Sequence, residues 1–179
     1  MKKIAVVLLA LMMCFALAAC GTPSPSDAVA AELDVAKDDP DMFAGSTAFT
    51  DAGLSQEASD ILYEKFLDFE YVIGDETIDG ENATVEVTIK TYPLGDIFED
   101  VFTSLISQIM SDPTMDVDTA MSDLLIEKIS AAEKTYEQTV TVDLVMSDGQ
   151  WQVQTNDDIV NALSGGMNNF VNNMDSLLA

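Results

Sequence analysis

The hydrophobic pattern of the chain changes period several times. Residues Ile4 to Ala16 form one uncharged apolar run. A small, polar, Pro-containing stretch follows at 21–26, "GTPSPS", which reads as a linker. In "SDAVAAELDVAKDDPDMF" the apolar positions Val29, Leu33 and Val35 recur at helical spacing, predicting a helix over 27–37. Ser26 or Asp27 is placed to cap it and Asp38-Asp39-Pro40 to stop it. Ala58, Ile61, Leu62, Phe66 and Phe69 form a second stripe, a helix over 55–68 opened by Ser55. The period then falls to two. "FEYVI" (69–73) predicts a strand, followed by a turn-rich connection containing Asp79-Gly80. Over 83–92, Ala83, Val85, Val87 and Ile89 face one way and Thr84, Glu86, Thr88 and Lys90 the other. A hairpin is predicted from 136–146 and 150–155, with Ser147-Asp148-Gly149 as the turn and Trp151 and Val153 inward. Between the sheet segments lie two helices, 96–110 and 118–133. The first has Asp96 as N-cap and Glu99 three residues on. A terminal stripe of Ile159, Leu163, Met167, Phe170, Met174 and Leu177 is interrupted by Gly165-Gly166, which is expected to kink or split it.

The 179 residues suit one domain, and the composition narrows its setting. Lys2 and Lys3 precede the apolar run, which has the length of a signal-peptide core and is short for a membrane span. It ends in Leu17-Ala18-Ala19-Cys20, which resembles the bacterial lipoprotein signal, where a diacylglycerol is attached to the cysteine before cleavage in front of it. On that reading 1–19 is a signal peptide, 20–26 a lipidated linker and 27–179 a single α+β domain. Cys14 is lost with the signal, and Cys20, now a thioether, leaves no thiol for a disulfide, catalysis or a metal. The chain has 7 basic residues, all lysine, against 32 acidic ones. Its net charge of −25 becomes about −27 once Lys2 and Lys3 are removed. Such a surface repels phosphate backbones, so no nucleic-acid partner is expected. There is no arginine for a phosphate clamp and no histidine for general-base or metal chemistry.

The motifs Cys20, Ser24 to Val29, Ala83 to Ile89 and the "DGQWQV" run from Asp148 to Val153 together resemble a family. It comprises small bacterial lipoproteins carrying a nuclear-transport-factor-2-like (cystatin-like) domain of unknown function. The resemblance implies an antiparallel sheet of about four strands packed by helices into a roll, here with an inserted helical pair. It implies a place and a shape, and no agreed activity.

No set of residues specifies a reaction, and no catalytic, cofactor-binding or metal-binding residue is assigned. Asp112, Asp116, Asp118 and Asp123 supply oxygen ligands suited to Ca²⁺, but without the spacing or central glycine of an EF-hand. They read more simply as acids at a helix N-terminus. The stripe Ile97, Phe98, Val101, Phe102, Leu105, Ile106 and Ile109 is wider than one helix face needs. Burial between the sheet and helix 118–133 is the favoured explanation. The alternative is a groove, centred on Phe98, Val101, Phe102 and Leu105, for a protein partner or a small apolar ligand. The resulting expectation is a non-enzymatic binding or adaptor domain, needing no cofactor, tethered on the extracytoplasmic side of the cell membrane through Cys20. The alternative is a cofactor-free isomerase or hydratase, which requires a buried carboxylate in an apolar pocket.

Overall fold

The computed structural model describes residues 23–39, 43 and 45–177, with side chains through Asn173. Cys20, the signal peptide and residues 21 and 22 of the linker therefore lie outside the described residues, as do the side chains of Met174 and Leu177.

The chain is α+β, with six helices and one four-stranded antiparallel sheet among the described residues. Helix α1 (Pro25–Asp38) and helix α2 (Gln56–Leu67) precede strands β1 (Glu70–Asp79) and β2 (Asn82–Thr91). Helices α3 (Leu94–Ser111) and α4 (Val117–Ser130) intervene before β3 (Tyr136–Ser147) and β4 (Gln150–Gln154). Helices α5 (Asp157–Leu163) and α6 (Met167–Leu177) close the chain. The strand order is β1-β2-β3-β4.

Helix α1 starts earlier than its polar residues suggest. Ser24, rather than Ser26 or Asp27, is the N-cap. Its hydroxyl accepts from the Asp27 N–H at 3.0 Å while its own N–H donates to the Asp27 carboxylate at 3.2 Å. Pro25 sits at the first helical position, where a missing N–H costs nothing and φ is already helical. Helix α3 also departs from expectation. Asp96 is not its cap but lies in its first turn, and Pro93 at the N-cap makes no side-chain hydrogen bond. The Gly95 N–H instead donates to the Gly165 carbonyl at 2.9 Å. A helix start buried against another segment is satisfied by that segment's backbone, which no local motif encodes.

Strand β1 is twice as long as the apolar run "FEYVI". Gly74 and Asp75 form an irregularity within the ladder, between Ile73 and Glu76, and pairing resumes to Asp79↔Asn82. A side chain at Gly74 would press on Glu86 across the ladder. The far half of β1 is solvent-exposed, so it lacks the apolar alternation that marks the other strands. Strands β2 and β3 pair over ten residues, from Asn82↔Val145 to Thr91↔Tyr136. The β3–β4 turn places Asp148 (φ 52°) and Gly149 (φ 79°) in the left-handed region, as the tight hairpin requires.

Two apolar clusters fill the molecule. In the first, Val85, Val87, Ile89, Val140, Val142, Leu144 and Trp151 on one sheet face meet Val29 and Leu33 of α1 and Ile159 of α5. Tyr71 ties α1 to β1, its hydroxyl donating to Asp34 at 2.6 Å. The second cluster joins α2, α3, α4 and α6 through Leu62, Phe98, Val101, Leu125, Ile129 and Met167. Helix α2 leads into β1 and α3 leaves β2 where Glu70 pairs with Lys90, and α4 re-enters the sheet where Thr91 pairs with Tyr136. The helical cluster is therefore attached to that one end of the sheet. Gly165 (φ 58°) and Gly166 (φ 83°) split the terminal stripe into α5 and α6.

Candidate functional site: a glutamate in an apolar cavity

Helix α1 lies on the sheet with Val29, Leu33 and Ala36 inward. Glu32 is three residues from Val29 and four from Ala36, at the margin of that buried face. Val142 of β3, Val153 of β4, and Ile159, Val160 and Leu163 of α5 approach from the other side. Together with Thr155 these residues enclose a cavity of about 40 Å³. Its walls are almost wholly apolar, and among the described residues Glu32 is the only charged one lining it.

The Glu32 Oε2 atom is buried and has no hydrogen-bond partner. A carboxylate taken out of water without a compensating donor is destabilised in its charged form. Burial accordingly pushes the Glu32 carboxyl up from 4.5 to about 7. The site thus holds a carboxyl poised near neutrality, in a space large enough for a few water-sized groups.

Glu32 is missing from the sequence reading for a definable reason. Its own helix marks it as a polar residue beside an apolar stripe, which is ordinary. Its burial comes from β4 and α5, more than a hundred residues away in the chain. A carboxyl flanking Val29, Leu33 and Ala36, and hence close to their buried stripe, is the one signal that was available.

The groove considered for α3 is not an open one. Phe98, Val101 and Leu105 are buried and Phe102 is half-buried, whereas Ile106 is 39% exposed. The cover comes from α4 and α6 rather than from α4 and the sheet: Leu125 and Ile129 of α4 and Met167 and Phe170 of α6 share the cluster. The Phe98 and Phe170 rings lie 6.0 Å apart. The acids of the α3–α4 connection are engaged locally. Asp112 accepts from Thr114, and Asp116 caps α4 by accepting from the Thr119 N–H at 2.9 Å. These hydrogen bonds hold both carboxyls below their ordinary range. Among the described residues, no group of three or more candidate ligands gathers to hold a metal ion.

A second polar cluster ties the helical half to the sheet. The Tyr92 hydroxyl donates to Asp68 at 2.7 Å, and the Lys134 ammonium donates to the other Asp68 oxygen at 2.6 Å. Lys65 stands 4.4 Å from the Tyr92 ring centroid. Burial alone would raise the Asp68 carboxyl, but the hydrogen bonds from Lys134 and Tyr92 and the charges of Lys134 and Lys65 outweigh it and hold the group low. Lys134 bridges Asp68 and Glu70, so this cluster reads as a junction of α2, β1 and the α4–β3 connection.

The fold and site define an α+β domain with a small apolar cavity containing one carboxyl group. No protein-family model matches the chain, and no curated protein matches it. Among solved structures it is similar to ycdA of Bacillus subtilis, provisionally described as a lipoprotein, with 18% identity and a TM-score of 0.49. The similarity covers 92% of this chain and 59% of that one, so the chain spans about three-fifths of that protein's length.

Proposed function

We propose that this protein is a lipid-anchored protein of the cell envelope whose extracytoplasmic domain binds a ligand and catalyses no reaction. The observation that carries the reading is Leu17-Ala18-Ala19-Cys20 after a Lys-Lys start and an apolar run. No helix among the described residues is long and apolar enough to cross a membrane; on this reading the attachment is the lipid on Cys20. Helix α1 begins at Pro25. A linker of five residues reaches at most about 18 Å when fully extended, so the domain would sit close to the bilayer surface. Two acyl chains give stable anchoring without a spanning helix. The finer placement among nuclear-transport-factor-2-like rolls is supported by the antiparallel four-stranded sheet with helices on one face.

For binding, the cavity of α1, β3, β4 and α5 is the favoured place. One observation favours the enzymatic alternative: a carboxyl held near pH 7 in an apolar cavity suits a general base. An isomerase or hydratase of that kind also needs a donor for the developing oxyanion. Among the described residues Thr155 is the only other polar residue lining the cavity, and binding is the reading this lining supports better.

The anchor is tested by expressing the chain in a bacterium fed a labelled fatty acid. The wild type should label and fractionate with membranes, and Cys20→Ala should do neither. Unchanged labelling of Cys20→Ala would refute the reading.

A further inference from the structure

We propose that the cavity between α1, β3, β4 and α5 receives a small primary ammonium group, with the Glu32 carboxylate as its counter-ion. The inference rests on the reading of the domain as a binding protein and names the chemistry of its ligand.

Three features point to this class. The first is the unused acceptor. A carboxylate only accepts hydrogen bonds, and the buried Glu32 Oε2 receives none from the protein. A primary ammonium supplies both a donor and the opposite charge, and so compensates the desolvation on both counts. The second is the absence of an internal counter-ion. Among the described residues, no lysine lines the cavity from α1, β3, β4 or α5, and Glu32 is its only titratable lining group. An incoming cation therefore displaces no ion pair, and an incoming anion finds nothing to hold it. The third is size and lining. About 40 Å³ between Val29, Leu33, Val153 and Ile159 accommodates the ammonium and a methylene or two, not a ring or a sugar. The chain's net charge of −25 adds a long-range preference for cations. That the free carboxyl sits near pH 7 supports the same view, since burial disfavours its charge until a partner arrives.

The same chemistry is offered by a free alkylamine and by the lysine side chain of a partner. Both are distinguished by NMR titration of the full chain in detergent, following the methyl groups of Val29, Leu33 and Val153. The probes are n-propylammonium, N-acetyl-lysine methylamide and, as a neutral control of matched size, n-propanol. At pH 8, n-propylammonium should shift these methyls saturably, at least tenfold more tightly than n-propanol. Binding should weaken at least tenfold at pH 5, where the carboxyl is protonated, and at least tenfold in Glu32→Gln. Ala36→Val fills the cavity without altering charge and should also abolish it. Equal binding of N-acetyl-lysine methylamide assigns the ligand to a partner's lysine, and its failure assigns it to a free amine. Equal affinity for propanol and propylammonium, or unchanged binding in a folded Glu32→Gln, overturns the proposal while leaving a neutral-ligand cavity. No response of these methyls to any probe overturns the proposal and the use of this cavity for binding together.

Discussion

Glu32 gives α1 a pH-dependent attachment to the sheet. Its carboxyl is raised in the folded chain from 4.5 to about 7, so the folded state holds a proton that the unfolded state has released between those values. The stability this confers is complete below about pH 4.5 and is lost as pH rises through about 7. Glu32→Gln mimics the protonated form. It should raise the melting temperature by about 2–4 °C at pH 8, corresponding to about 1 kcal/mol after allowance for solvent screening of a half-exposed group. At pH 4 the variant and the wild type should melt together. A variant less stable at pH 8 would show that the Glu32 charge is paired. Asp68 runs the opposite way: its carboxyl is held low, so its contribution is present at neutral pH and fades on acidification.

At the scale of elements, the joint between α3 and the α5–α6 turn is closely packed. A Cβ on Gly165 would collide with the Tyr92 carbonyl oxygen, and the residue also needs a positive φ. Gly165→Ala should therefore cost more than about 2 kcal/mol, well above the few tenths of a typical exposed Gly→Ala. A thermal melt checks this, and a loss below 0.5 kcal/mol would mean the turn relaxes freely. At the other end, Ser24→Ala removes the α1 cap and should cost about 1 kcal/mol. These elements also show how far a single sequence reaches. Strands β2, β3 and β4 and helices α2, α3 and α4 are legible because their apolar positions repeat with one period against one buried face. The far half of β1 is not, because an exposed edge strand has no buried side to impose alternation. The start of α3 is not, because its Gly95 N–H is satisfied by Gly165, seventy residues on. Gly165-Gly166 is legible as a break, though its contact with Tyr92 and Gly95 is not.

On the scale of the whole molecule, chemistry is concentrated in two places of unequal legibility. Cys20 stands in a contiguous motif, so the modification proposed for it can be read from four residues. Glu32 acquires its environment only when α1, β3, β4 and α5 assemble, so no local pattern announces it. The acidic surface, read from composition alone, is common to both: it disfavours phosphate and anionic headgroups and favours cationic ligands. A domain held near the bilayer by a short linker, with a cation-accepting cavity, is the account that joins them. Its foundation is the anchor, and the intact mass of the chain recovered from bacterial membranes tests that most directly. The recovered chain should begin at Cys20 and carry a diacylglycerol on it. A membrane-recovered chain that retains residues 1–19, or that starts elsewhere without lipid, would contradict that anchor.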